Sequence, residues 1–559
     1  MRKLFTTTIL LILCSLLTLP AVAQDWVKKA AKSVFTVKTF NASNDLLGST
    51  NGFFVSEEGE AVSSYTPFRG ASSAIVIDAQ GKEMPVECML GANDTYDVAK
   101  FRVAAKKTTP LTIAAANATE DTQVWLLPYR ETKDLKEGTV RKAEKFGADY
   151  AYYTVALSMP EGTTSCPLIN AEGMVIGLMQ QPYKQGDTLR YAVSARYADS
   201  LAISGLSIND ATLRSTNIKK DLPRDLDQAV LMLYMAQTSS LDSAAYAQLV
   251  NDFILRFPDS PDGYTYRAEA EVIGQDFDAA ARDMEKAISV ASKKDEIHYS
   301  YSKLIYHKEV YMSDTPYEAW SLDKALEEAK EAERLQPLAI YRHQQAVVLF
   351  AQKKYSEAYD VYASLFNSEL RSAEVFYEAS RCKTALNDTI GQIALLDSCV
   401  ATFSQPYLKE AAPYILSRAQ ALIDASQYRK AVNDLNEYEK LMQASVNANF
   451  YYLRFQAEIG GRLYQQALND INQAIQKSPR SDLYLAEKAS LLLRVGMTDE
   501  AIATARECID IAPEHSDGYL FLGLAQCLKG NKKEGVANLT KAKELGDPQA
   551  DELIEKYGE

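Results

Sequence analysis

Hydrophobic and polar positions change their period once along the chain, near residue 226. From about residue 30 to 195, apolar residues form short alternating or continuous runs separated by Gly, Asn and Asp, which predicts an all-β barrel or sandwich. These runs cover residues 34–40, 52–55, 74–77, 98–103, 124–127, 150–157 and 174–179. Beyond Leu226 the period becomes helical. The chain therefore predicts a β region followed by an α region.

The helical region contains an internal repeat marked by a small residue. The repeated positions are Ala280, Ala325, Ala358, Ala431, Ala467, Ala501 and Gly535. Successive steps are 45, 33, 73 (two repeats), 36, 34 and 34 residues, and the long first step predicts an insertion near residues 307–320. A small side chain lets two antiparallel helices approach closely, so it recurs once per helix pair. The period resembles that of tetratricopeptide repeats, which implies eight or nine helix pairs in one solenoid.

The N-terminus predicts export. Arg2 and Lys3 precede an apolar stretch over residues 9–19, and Ala21-Val22-Ala23 resembles a signal-peptide cleavage site. We therefore expect a signal peptide at 1–23, a β domain at 24–205, a linker at 206–225 and helical repeats at 226–559. An uncleaved anchor is the alternative. The expected location is the periplasm or another exported site of a bacterial cell envelope, with no transmembrane span after cleavage.

Charge and cysteine usage narrow the classes of partner. The net charge is −14 and becomes −16 without Arg2 and Lys3, so nucleic acid is not an expected partner. Six cysteines remain, with no CxxC and no nearby His, which argues against a metal site. Buried free thiols are the simpler interpretation, and bridges Cys382–Cys399 or Cys508–Cys527 are the alternative. No motif indicates a cofactor.

Six motifs in order make the β region resemble a trypsin-like serine protease domain of the HtrA type, over roughly residues 30–203. They are GSTNGFFV at 48–55, AVSSYT at 61–66, NDTYDVA at 93–99, GTTSCPLIN at 162–170, GMVIG at 173–177 and YAVS at 191–194. The resemblance implies a double β-barrel with a catalytic cleft. The predicted fold is thus a multidomain chain, with an all-β trypsin-like double barrel followed by an all-α tetratricopeptide solenoid.

The same motifs depart from the family at the positions that carry its chemistry. The resemblance places Thr66 at the catalytic His position, keeps Asp97 at the Asp position and places Thr164 at the nucleophile position. Hydroxyl attack needs a base near pH 7, and imidazole is the usual one. All four histidines, His298, His307, His343 and His515, lie in the helical region. The sequence thus predicts a degenerate triad.

Cys166, two places beyond the nucleophile position, is the alternative nucleophile. A thiolate attacks without a base once its pKa is lowered, but no cation is near Cys166 in the sequence. Ser165 and Cys166 also replace two glycines of the family's loop. We therefore expect Cys166 to be structural.

These observations favour a binding protein over an enzyme. The first hypothesis is an exported scaffold whose repeat groove binds a peptide or protein partner of the cell envelope, with a catalytically inactive trypsin-like domain. The second is an active serine- or cysteine-type endopeptidase whose repeats recruit substrate. The third makes the β domain a docking plug in an envelope assembly.

Overall fold

The structure is a computed structural model that describes residues 27–130, 135–147, 149–182, 189–239 and 241–557. The predicted signal peptide lies outside the described residues. The chain divides into two compact units, with the boundary between Ala291 and Ser292. The first unit contains the β region and the first helices, and the second contains the remaining helices.

The β region folds into two closed six-stranded antiparallel barrels. The first has the order β1-β2-β3-β6-β5-β4 and the second β10-β11-β12-β9-β8-β7. Strands of the first barrel are β1 Val34–Phe40, β2 Leu46–Phe54, β3 Glu60–Ser63, β4 Ser73–Ile77, β5 Glu83–Asn93 and β6 Val98–Val103. Strands of the second are β7 Gln123–Leu126, β8 Lys136–Phe146, β9 Tyr150–Leu157, β10 Pro167–Ile169, β11 Val175–Met179 and β12 Leu189–Ser194. The predicted double barrel is confirmed.

Each barrel closes around its own apolar core. Phe35, Phe54, Phe68 and Phe101 pack together in the first barrel. The core of the second barrel consists mainly of aliphatic side chains around Tyr153. Closure removes the free edges that a sheet would otherwise expose.

The segment predicted as a linker, 206–225, runs along the first barrel. Met89 in β5 donates its backbone N–H to the Lys219 carbonyl, and Asp221 donates back to the Met89 carbonyl. The Arg102 and Arg256 guanidiniums both pair with the Asp221 carboxylate, at 3.0 and 2.7 Å. These contacts join β5 and β6 to the first helices of this unit.

Nineteen helices follow in the described residues. In the first unit they are α1 Leu226–Gln237, α2 Ser243–Arg256, α3 Pro261–Ile273 and α4 Phe277–Val290. In the second unit they are α5 Lys294–Tyr311, α6 Leu322–Leu335, α7 Ala339–Ala351, α8 Tyr355–Ser364, α9 Ala373–Ala385, α10 Thr389–Val400, α11 Ala412–Asp424, α12 Tyr428–Met442, α13 Ala448–Gly460, α14 Tyr464–Lys477, α15 Asp482–Arg494, α16 Thr498–Ile511, α17 Ser516–Leu528, α18 Lys532–Glu544 and α19 Ala550–Tyr557.

The repeated small residues lie where the helices of a pair approach each other. Every Ala of the series, together with Gly535, is buried at the fourth position of the second helix in its pair. The predicted insertion lengthens α5 to 18 residues and adds a loop that Trp320 anchors by donating its Nε1–H to the Tyr301 hydroxyl at 3.0 Å. In the second unit, each helix packs against the next helix along the chain, as a solenoid requires. No helix in the described ranges is long and apolar enough to cross a membrane.

Candidate functional site

A polar cleft of about 630 Å³ is lined by loops of both barrels. It contains three positions that the resemblance singled out, namely Thr66, Asp97 and Thr164. Most of its other lining residues carry hydroxyl, amide or charged groups. The structure therefore brings the predicted triad positions to one site.

Thr66 takes the place next to Asp97 that the resemblance assigns to a histidine. It begins a short helical turn after β3, while Asp97 lies between β5 and β6 with a positive φ of 50°. The backbone N–H and the hydroxyl of Thr66 both donate to Asp97 Oδ1, at 2.6 and 2.8 Å. Both donors of Thr66 thus share one carboxylate oxygen, and the pair ties the turn after β3 to the loop between β5 and β6.

The loop that carries Thr164 is held by neutral hydrogen bonds. The Asn51 side-chain amide donates to the carbonyls of Gly162 and Thr164, at 2.6 and 3.1 Å. Ser165 is completely buried, and its hydroxyl lies 3.0 Å from the Thr50 hydroxyl and accepts from the Ser64 N–H at 3.2 Å. These bonds connect the first barrel to the loop of the second.

Ser165 also has a positive φ of 62°, a conformation that normally favours glycine. Ser165 stands at one of the two positions where the resemblance implies a glycine. The turn keeps the left-handed residue, because the buried hydroxyl bonds of Ser165 offset the cost of that backbone conformation.

Cys166 is buried away from the cleft. Its side chain is fully inaccessible, and burial raises the pKa of the thiol to about 12. A nucleophilic cysteine needs the opposite shift and access to substrate. Cys166 shows neither feature in this structure. All six cysteines of the described chain are free and buried.

The four histidines lie in the second unit, three of them in carboxylate pairs. His298 contacts Glu328 at 2.5 Å, His343 contacts Glu378 at 2.6 Å, and His515 contacts Asp482. The described residues contain no cluster of three or more His, Cys, Asp or Glu side chains that could hold a metal ion.

Sequence reasoning missed a set of buried or partly buried ion pairs in the helical region. Arg267–Asp283, Arg418–Asp434 and Arg454–Asp470 are each bidentate and each 16 residues apart. A sequence signal existed, because in each case the Asp stands three residues after a repeated Ala and the Arg thirteen before it. The other repeats do not carry both an Arg and an Asp at these two positions. The period of the small residues alone therefore does not predict the ion pairs.

Comparison with known families supports the barrel assignment. A model of the family described as trypsin-like peptidase domain matches residues 50–178, from within β2 to within β11. This match covers less than a quarter of the chain. A search of curated proteins finds no significant match. The β region is therefore similar to trypsin-like peptidase domains in both sequence and fold.

Proposed function

We propose that this chain is an exported binding protein in which a catalytically inactive trypsin-like domain accompanies tetratricopeptide repeats that bind a peptide or protein partner. The observation that carries the proposal is the Thr66–Asp97 pair. In place of an imidazole, Asp97 accepts from a hydroxyl, which is too weak a base to take the proton of an attacking group near pH 7, and this supports an inactive cleft. Cys166 offers no substitute because it is buried with a raised pKa.

In the second unit, aromatic pairs on the first helix of successive helix pairs support the binding role of the repeats. The rings of Tyr377 and Tyr414 lie 5.6 Å apart between α9 and α11, and Tyr452 and Tyr484 lie 5.2 Å apart between α13 and α15. Three of these four rings are partly exposed, counting Tyr377, Tyr414 and Tyr452. Tyrosine offers a large contact area at low entropic cost, which suits a surface that binds an extended segment.

A protease assay with a restored triad tests the inactive cleft. We expect the purified mature chain to leave casein intact at about pH 7 to 8, where a catalytic histidine would be neutral and able to accept a proton. Thr66→His with Thr164→Ser supplies the missing base and nucleophile, and any hydrolysis that it gains shows that the assay detects a competent cleft. Cleavage by the original chain that Thr164→Ala or Cys166→Ala abolishes would instead establish the endopeptidase, which the family match favours as the second candidate.

Crosslinking in the native envelope tests the binding role and the location together. A photo-reactive residue at position 377 should capture a discrete partner, whereas one at Tyr234, an exposed tyrosine of α1, serves as the matched control. Equal capture at both positions would contradict a specific groove. Recovery of the chain in the cytoplasmic fraction with its first 23 residues intact would contradict export.

A further inference from the structure

The three bidentate Arg–Asp pairs differ at one neighbouring position. The residue one helical turn after the arginine is Glu271 in the first pair, Leu422 in the second and Glu458 in the third. Two repeats therefore add a carboxyl group to an ion pair that is already neutral, and one repeat adds a methyl-bearing side chain. The difference gives an internal comparison within a single fold.

Glu458 lies on α13 at a place where carboxyl groups outnumber cations. The residue is only 3 % exposed. It faces Asp470 on α14, Glu439 on α12 and Arg454 on its own helix. Those are three carboxyl groups around one guanidinium.

Four of the five N–H groups of the Arg454 guanidinium donate to acceptors other than Glu458. Its Nε and Nη2 donate to Asp470 at 2.6 and 3.0 Å, and its Nη1 donates to Asn436 and Glu439 at 2.9 and 2.6 Å. Within the described residues, Glu458 Oε2 is buried and has no hydrogen-bond donor. Burying a carboxylate without a donor is costly, and a proton is the smallest group that removes both the charge and the missing bond.

We propose that Glu458 and Asp470 share a proton at neutral pH and that its loss loosens the packing of α13 on α14. The protonated Glu458 carboxyl donates to the Asp470 carboxylate, which still accepts both bonds from Arg454. Deprotonation leaves two adjacent buried carboxylates with Glu439 nearby and one guanidinium among the three. The stability of the packing between α13 and α14 therefore depends on pH.

The electrostatics of the site agree with this assignment. Burial, aided by Asp470 and opposed by Arg454, raises the pKa of Glu458 to about 8. The pKa of Asp470 is also raised by burial, despite the opposing bonds from Arg454. A folded-state pKa above the unfolded value means that the folded state holds the extra proton, so stability falls as pH rises from about 4.5 to about 8.

Glu271 in the first unit repeats the arrangement in a weaker form. Burial raises its pKa to about 7, aided by Asp283 and Asp276 and opposed by Arg267 and Arg282. Its Oε2 is also buried without a hydrogen-bond donor from the described chain. Because the Glu271 side chain is 23 % exposed, water reduces the effect there.

Hydrogen exchange of the full chain tests the proposal. Protection of backbone amides in α13 and α14, corrected for the intrinsic exchange rate, should fall by up to about a hundredfold between about pH 6 and pH 9, because the stabilisation falls about tenfold per pH unit until the pH passes the folded pKa of about 8. Protection in α11 and α12, where Leu422 replaces the glutamate, should change much less. Glu458→Gln should make α13 and α14 as insensitive to pH as α11 and α12.

Two further variants keep the test decisive. Asp470→Asn removes the other half of the shared proton and serves if Glu458→Gln does not fold, while Glu507→Gln, at an exposed position of α16, controls for the loss of a charge. The proposal is overturned if α13 and α14 respond to pH no more than α11 and α12, or if the response persists in Glu458→Gln or Asp470→Asn.

Discussion

The cleft of the barrels and the helix pairs both bury polar groups, but they do so with different chemistry. In the cleft the buried groups are neutral, with Thr50, Ser64 and Ser165 bonded to one another. In the helix pairs they are charged, as in Arg454 and Asp470. Neutral groups fix geometry at every physiological pH, whereas buried charges make stability depend on which protons are bound.

Removing one buried charge should produce the largest effect. Arg454→Met leaves the carboxyl groups of Asp470, Glu439 and Glu458 without their cation, and we expect a loss of about 3 to 5 kcal/mol in the unfolding free energy of this region. Hydrogen exchange of α13 and α14 during urea unfolding measures that loss. The double variant Arg454→Met with Asp470→Leu is the matched control and should lose less, because it removes both partners of the pair. An equal or greater loss in the double variant would contradict an energetic role for the uncompensated charge.

Removing one buried hydroxyl should produce an intermediate effect that is independent of pH. Ser165→Ala leaves the Ser64 N–H without its acceptor, at an expected cost of about 1 to 3 kcal/mol in local stability. Exchange of the amides around residues 160–166 reports this cost, and Ser49→Ala, at an exposed residue of the cleft wall, should change little. A cost that varied between about pH 5 and pH 8.5 would show that the cleft also depends on ionised groups.

The smallest effect is expected at the exposed His515–Asp482 pair of the second unit. The hydrogen bond with Asp482 raises the pKa of His515, so the pair stabilises the fold fully below the unfolded value of about 6.5 and loses that stabilisation as pH rises through the folded value. His515→Gln should therefore lower the thermal midpoint slightly near pH 6 and not at all well above the raised pKa. Asp482→Asn is the companion variant, and an effect in either that grows with pH would be inconsistent with this pair.

The sequence predicted the architecture better than the interactions. Runs at 34–40, 98–103 and 150–157 match β1, β6 and β9 in full, because apolar alternation follows from burial of one face. The strand β8 was missed, since its eleven residues include many charges and only Gly or Val at the buried positions 138 and 140. Its place is determined by pairing with β7 and β9 rather than by its own pattern.

The site followed the same rule. Thr66, Asp97 and Thr164 were found because short motifs record them, and the structure brings all three to one cleft. The roles of Asn51 and Glu458 could not be read from the chain. Asn51 bonds to residues more than a hundred positions away, and the environment of Glu458 comes from side chains on three helices. Such effects depend on tertiary contacts that no local pattern encodes.

Leu422 makes the proposed pH sensitivity a modular property of this scaffold, because it stands where two other helix pairs carry a glutamate. Since each helix pair contacts mainly its neighbours, exchanging leucine and glutamate at this one slot should add or remove a titration step in one pair while the others keep theirs. The number of pH-sensitive helix pairs could thereby be changed one pair at a time, without altering the rest of the solenoid.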